Sequence, residues 1–157
     1  MNQELAQELA PKPRSLVHTA QLNCFGCGSG NTVGLKLHFS VTESSEVVCD
    51  AQISDQYEGP KGCVHGGIIA TILDEAMSKA NRAHGKVAMT RQMQVEYLRP
   101  VPSGAPIRIE GKMTRNEGRK LWTEARILSH EGLVLATATG LFLTIRPAPT
   151  SPPLERS

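Results

Sequence analysis

The chain is short of aromatics, of cysteine, of charge of one sign and of long apolar runs, and each shortage closes off a class of protein. Tyr, Phe and Trp make up 4% of the 157 residues and the formal net charge is +2. The basic residues are scattered, and no basic run interleaves with aromatics, so nothing points to a nucleic-acid partner. A mild positive balance is compatible with an anionic small molecule but does not require one. Four cysteines are too few for a disulfide scaffold in a chain of this length. No stretch approaches the roughly 20 apolar residues of a membrane span. The opening Met1-Asn2-Gln3-Glu4 lacks a basic and then apolar leader, so no secretory signal is expected. The expected compartment is a reducing cytoplasm, with no membrane association.

What is present is an ordinary globular composition, 39% hydrophobic and 20% charged. The length suits one domain. At this size a fair share of apolar surface is left for a partner. Residues 1–22 read as a flexible tail, in which Gln3 to Ala10 can form a helical turn or two before Pro11 and Pro13 end it. Residues 147–157 hold four prolines and little to bury, and read as a disordered second tail. The domain is expected over residues 23–146.

Between the tails the pattern is strands, one helix, then strands. Leu35–Val41 and Val47–Ile53 alternate as a strand pair around a turn at Thr42–Glu46. Gln56–Val64 is a Gly/Pro-rich loop. From Gly66 to about Ala83, Ile68, Ile69, Ile72, Leu73, Ala76, Met77 and Ala80 fall at helical spacing. Gly85 is a plausible stop for that helix. Four strands are expected after it, at Ala88–Leu98, Ile107–Arg115, Leu121–Ser129 and Leu133–Ile145, separated by turn residues. The last is mostly apolar or small, which suits a strand covered on both faces. The fold class is α+β: an antiparallel sheet of about six strands curled around one long helix. A lone helix covers one face of such a sheet, so the other face or an edge is expected to meet another subunit.

On a helical wheel, Glu75, Lys79 and Arg82 share one charged face, which reads as solvated. Asp74 lies instead with Gly67, Ala70, Thr71, Ser78 and Asn81, a stripe of small and polar side chains. A carboxylate within such a stripe is a candidate base or nucleophile; the bland alternative is a surface or interface aspartate. Cys63-Val64-His65-Gly66-Gly67 leads into the helix. Two glycines at a helix start leave amide groups approachable, and with the positive end of the helix dipole they can polarise a carbonyl. The alternative is a flexible turn. Gly67 and Asp74 are seven positions apart, roughly 10 Å along one helix. One carbonyl cannot easily touch both unless they come from two copies of the helix, as in a two-fold dimer.

His65-Gly66-Gly67-Ile68-Ile69-Ala70-Thr71-Ile72-Leu73-Asp74-Glu75-Ala76-Met77 resembles the hotdog-fold thioesterases, within them the 4-hydroxybenzoyl-CoA and phenylacetate-degradation group. That group has a His-Gly-Gly turn with an acidic residue nine positions after the His, here Asp74. Gln94-Val95-Glu96-Tyr97-Leu98-Arg99-Pro100-Val101 is similar to the strand after the helix. Cys24-Phe25-Gly26-Cys27-Gly28, with Gly34-Leu35, is similar to the opening of one subset. The resemblance spans residues 24–146. It implies a helix wrapped by an antiparallel sheet, a homodimer with shared sites or a homotetramer, and hydrolysis of acyl-CoA thioesters without metal or cofactor. It makes Asp74 the nucleophile or general base, and Gly66 or Gly67 of the other subunit the amide at the thioester carbonyl. Thr90 falls where some members carry a hydroxyl near the attacking water. Where some relatives have an Asn six residues before the His, this chain has Gly59. Orientation of the substrate then falls to another group, with Glu58 or a backbone amide as candidates and His65 beside them.

Other residues carry competing readings. Cys24 and Cys27 form a Cys-x-x-Cys that is half of a zinc site or a redox pair, with His38 as a further ligand candidate, or else a packed turn. Cys63 is read as a small buried residue rather than a nucleophile, and His65 as orienting the turn rather than acting as a base. Arg91, Arg99, Arg119 and Lys120 are candidates for the phosphates of coenzyme A, or solvated strand residues. Trp122 and Phe142 are core residues or line an acyl pocket. The activity expected is acyl-CoA hydrolysis. A non-catalytic acyl-CoA-binding module is the alternative, and a metal or redox protein built on the Cys-x-x-Cys a third.

Overall fold

The computed structural model describes residues 14–16 and 23–145. The turns expected at Gln3–Ala10 and the Pro-rich stretch 147–157 lie outside the described residues. Within them the strands are β1 (Arg14–Ser15), β2 (Ser40–Val41), β3 (Val47–Gln52), β4 (Ala88–Tyr97), β5 (Pro106–Glu117), β6 (Lys120–Ser129) and β7 (Val134–Thr144), with one long helix, α1 (Gly66–Ala83), between β3 and β4. They form one sheet in the order β1-β2-β3-β5-β6-β7-β4, antiparallel throughout. The helix lies across one face.

The alternation of side chains along the strands decides which face that is. Ile107, Ile109 and Gly111 of β5, Leu121, Thr123, Ala125 and Ile127 of β6, and Ala136, Ala138, Gly140 and Phe142 of β7 are buried at every second position. They meet Ile69, Ile72, Leu73, Ala76, Met77 and Ala80 of α1. The contact is close because small residues stand where the helix crosses. A Cβ on Gly111 would lie 2.7 Å from the Ala76 carbonyl oxygen, and one on Gly140 would lie 3.1 Å from the Met77 sulfur.

Several expectations change. Only Ser40–Val41 of the expected Leu35–Val41 strand joins the ladder. Leu35 and Leu37 instead donate to the carbonyls of Phe25 and Gly26, at 2.7 and 2.9 Å. This stretch is extended because the Cys24–Gly28 loop occupies its backbone. Arg14–Ser15, in a stretch read as tail, adds a short seventh strand. The other face of β7 is only half-buried at Thr137, Leu141 and Leu143, and Thr139 is exposed, because no second layer covers the outer side of the sheet in one chain. The charged face of α1 is not solvated. Lys79 is 3% exposed and the Glu75 side chain 14%, since the 24–28 loop folds over them. The helix end is as expected: Gly85 has φ +71° and its amide returns to the Arg82 carbonyl at 2.8 Å.

Candidate functional site

The entrance to α1 is held from both sides. Upstream, the amide of His65 donates to the carbonyl of Tyr57 at 2.8 Å. His65 is the N-cap, with extended backbone at φ −59° and ψ 138°, and its Nδ1 accepts the amide hydrogen of Gly67 at 2.9 Å. His65 therefore orients the turn, and the Gly67 amide is already engaged within its own chain. The Gly66 amide, by contrast, donates to no group among the described residues. Its carbonyl accepts the hydroxyl hydrogen of Tyr97 on β4 at 3.0 Å. Tyr97 is a site residue that sequence reasoning missed. The Gln94–Val101 stretch resembles a family strand, but the register that sets Tyr97 over the helix start is a tertiary fact.

Two helical turns on, Asp74 is half-buried. Its Oδ1 accepts the Thr90 hydroxyl hydrogen at 2.7 Å, while its other oxygen accepts no hydrogen bond from the described residues. Burial lifts its carboxyl above the ordinary value; the Thr90 hydrogen bond pulls it back, and the charge of Glu75 pushes it up further. Thr90 stands next to a β-bulge. Thr90 pairs with Phe142 and Gln92 with Leu141, so Arg91 is the extra residue. A bulge re-aims side chains at a strand edge, and Arg91 points off the ladder, exposed.

Glu58 and Gly59 lie upstream against the same turn. Glu58 bridges Val64 and its carboxylate accepts the Ser103 hydroxyl hydrogen. Gly59 donates to the Cys63 carbonyl at 3.0 Å, and a Cβ there would sit 3.3 Å from the His65 Cα. His65, Gly66, Gly67, Glu58, Gly59 and Tyr97 are thus grouped at the helix start. Asp74, Thr90 and Arg91 form a second group further along. About 10 Å of helix separates the ends of the two groups.

Other candidates are used elsewhere. Arg99 donates to the Val134 carbonyl at 2.8 Å and Arg119 to the Thr144 carbonyl at 3.2 Å. Phe142 is fully buried core. Trp122 is half-buried beneath the Arg115 guanidinium, 3.6 Å from the ring centre. A groove of about 640 Å³ on the sheet, beside Gln52, Pro106 and Leu128, does not touch Asp74. None of the four cysteines forms a disulfide. Burial and a hydrogen bond to Glu75 push the Cys27 thiol up to about 12.

One edge of the sheet is open. β4 is the outermost strand, ten residues long and exposed except at Ala88, Met93 and Val95, which are half-buried against the core. Met89, Tyr97 and Leu98 are 63%, 55% and 51% exposed. A long edge strand with apolar side chains invites pairing with another chain.

Comparison with known proteins bears on both groups. Residues 61–136, which contain the His65 turn, α1 and Asp74, match the family model described as Thioesterase superfamily. Acyl-coenzyme A thioesterase THEM4 of Xenopus laevis is 37% identical over 102 residues, 64% of this chain and 46% of that protein. The chain spans about half the length of the curated relatives it matches. Among solved structures, a thioesterase superfamily protein with 28% identity superposes with a TM-score of 0.75, over 89% of this chain and 72% of its own. The PaaI protein of the E. coli phenylacetic acid degradation operon superposes with a TM-score of 0.66 at 18% identity, over 73% of this chain and 83% of its own.

Proposed function

We propose that this chain, whose residues 61–136 match the thioesterase superfamily model and whose fold is the hotdog of its structural neighbours, hydrolyses acyl-CoA thioesters at a site shared between two copies. The observation that carries this reading is Asp74: a half-buried carboxylate held by one hydroxyl, with its second oxygen uncommitted. Such a group is placed to take a proton from water or to attack directly. The name of the Xenopus relative, an acyl-coenzyme A thioesterase, supports the substrate class.

The reaction follows from the groups present. With Asp74 as base, a water oxygen bonds to the thioester carbon as its proton passes to the carboxylate. The carbonyl oxygen becomes an oxyanion. Collapse of that intermediate breaks the C–S bond, and the thiolate of coenzyme A leaves and takes up the proton. With Asp74 as nucleophile, a mixed anhydride forms first and water then cleaves it. The oxyanion needs a hydrogen-bond donor. The Gly66 amide suits it, because it is uncommitted and lies at the positive end of the helix dipole, whereas the Gly67 amide is held by His65.

Gly66 and Asp74 of one chain are too far apart to serve one carbonyl, so a second copy is part of the proposal. We place it along β4, where pairing would cover Met89, Tyr97 and Leu98 and bring Asp74 of one copy towards Gly66 of the other. Higher assembly to a tetramer would use the half-covered outer face of the sheet. Thr90 holds Asp74, and Arg91, exposed on the bulge beside it, is our candidate for a coenzyme A phosphate. His65 and Glu58 shape the carbonyl end. A reducing compartment such as the cytoplasm fits the unbridged thiols.

A binding-only module is the second reading, favoured by Gly59, which brings no side chain to the His65 turn. One assay separates the two. Thiol release is followed with a chromogenic reagent over aryl-, short-, medium- and long-chain acyl-CoAs, for wild type and Asp74→Asn. The expected outcome is turnover by wild type that falls by about 10²–10⁴-fold in the variant, the range of a lost general base. Binding of acyl-CoA with no thiol released would leave the binding module standing instead.

A further inference from the structure

The loop that opens the domain is closed over α1 by a set of groups that the proposed hydrolysis does not use. Cys24 Sγ, Cys27 Sγ and a Glu75 carboxylate oxygen all lie within 4.8 Å of one another. Lys79 Nζ is 3.1 Å from Glu75 Oε1 and 3.1 Å from Cys27 Sγ. The two carboxylate oxygens divide the work: Oε1 meets Lys79, and Oε2 faces Cys24 Sγ at 3.7 Å. The loop is shaped to this carboxylate. A Cβ on Gly26 would be 2.5 Å from Glu75 Oε2, so a side chain there would displace the carboxylate from its place between Lys79 and Cys24. The amide of Gly28 completes the turn on the Cys24 carbonyl at 2.8 Å.

We propose that Cys24, Cys27 and Glu75 bind a divalent metal ion of the zinc class, with buried Lys79 offsetting the third negative charge of the ligand set. The spacing fits. Metal–sulfur bonds of about 2.3 Å and metal–oxygen bonds of about 2.0–2.2 Å set tetrahedral ligand edges of about 3.4–3.8 Å, and the Cys24–Glu75 edge already has that length. Two thiolates and a carboxylate are a soft, anionic donor set that suits zinc. Three protein ligands leave a fourth position for water. Charge balances before and after binding. Two thiols, one carboxylate and one ammonium sum to zero; so do two thiolates, the carboxylate, the ammonium and a divalent ion, with two protons released to solvent. The Lys79 ammonium also donates towards Cys27 sulfur, the kind of outer hydrogen bond that steadies a metal thiolate. A redox pair would need the two sulfurs alone and would leave the buried Glu75–Lys79 pair without a part in it. The bound ion pins the 24–28 loop to α1. It takes no part in thioester hydrolysis, so its failure and the failure of the thioesterase reading are separately visible.

The test uses the full chain, purified under thiol reductant, stripped with a chelator and titrated with Co(II) and then Zn(II). The expected result is about one ion per chain. Co(II) should show the visible bands of a tetrahedral site with thiolate charge transfer in the near ultraviolet, and Zn(II) should erase both. In the wild type, Zn(II) should protect Cys24 and Cys27 from alkylation, read by mass spectrometry, while Cys63 reacts alike with and without it. Cys24→Ser and Glu75→Gln should lose the bands, and Cys63→Ser should keep them. The alkylation readout needs no variant, so a misfolded mutant does not blunt the test. Alkylation of Cys24 and Cys27 unchanged by Zn(II), or Co(II) bands that survive Cys24→Ser, would overturn the proposal. So would a Cys24–Cys27 disulfide that re-forms in air while no metal is taken up, which would make the pair a redox element.

Discussion

Thr90 Oγ1 and Asp74 Oδ1 are 2.7 Å apart, a bond that ties the edge strand β4 to the middle of the helix. It is the strongest restraint on the carboxylate, and it works against burial. Burial raises the Asp74 carboxyl, Thr90 lowers it and Glu75 raises it again. Activity through an ionised Asp74 should therefore have an acid limb above the ordinary aspartate value of 3.8. Thr90→Val removes the one hydrogen bond that favours the charge, so the limb should move to still higher pH while the alkaline side stays put. A pH–rate profile for the two proteins reads this. An unmoved limb would mean that another group sets it.

The same shift makes a stability statement with a definite sign. A carboxyl whose folded value is raised holds its proton more tightly in the native state. Its contribution is fully present below the unfolded value and is lost as pH rises through the folded one. Asp74→Asn should thus be more stable than wild type at neutral pH, and the gain should fade towards and below pH 3.8. Melting temperatures across pH check it. A variant that is less stable at neutral pH would contradict the burial argument.

Gly66 gives a test of the shared site. It is the first residue of α1, where proline is well tolerated because that amide has no helical partner. His65 already has the extended backbone that precedes proline, and a Cβ would meet the Tyr97 ring at an ordinary 3.6 Å. Gly66→Pro removes one N–H and little else. Turnover should drop by about 10²–10³-fold, the range for a lost oxyanion donor, with the oligomer intact. Mixing Gly66→Pro and Asp74→Asn chains should restore activity, since each mixed dimer holds one site with both groups. Two inactive parents that stay inactive when mixed would place both groups in the same chain.

His65 makes a smaller and separable contribution. Its Nδ1 is the cap of α1, and His65→Ala should destabilise the fold by about 0.5–2 kcal/mol. His65→Asn keeps an acceptor in reach of the Gly67 amide and should recover most of that loss in denaturant melts. If both variants melt alike, the cap is not what His65 supplies.

Gly111 should be the least replaceable glycine of the core. Its φ is not unusual; the obstacle is Ala76, whose carbonyl oxygen would lie 2.7 Å from a new Cβ. Gly111→Ala must push α1 off the sheet, at about 1–3 kcal/mol or more. Gly118→Ala is instructive beside it, since no atom lies within 4 Å but φ is +57°, so only backbone strain acts. Urea midpoints should order wild type, Gly118→Ala, Gly111→Ala from most to least stable.

Local pattern was enough for much of this protein. Helical spacing from Gly66 to Ala83 and alternation in the later strands are properties of neighbours along the chain, so helix, strands and class were readable from residues alone. The stripe of small residues around Asp74 and the glycines after His65 single out a candidate stretch for the same reason. Tertiary structure decided what those residues touch. The fold brought Thr90 onto Asp74, Tyr97 onto Gly66 and His65 back onto the Gly67 amide, and so left Gly66 as the uncommitted donor. It also reversed the reading of Glu75 and Lys79. On a wheel a charged face is simply polar, because the wheel has no knowledge of a loop fifty residues upstream that lays two cysteines across it. Contacts over such separations depend on register and loop closure, and these are set by the packing of the whole domain rather than by any local run of residues.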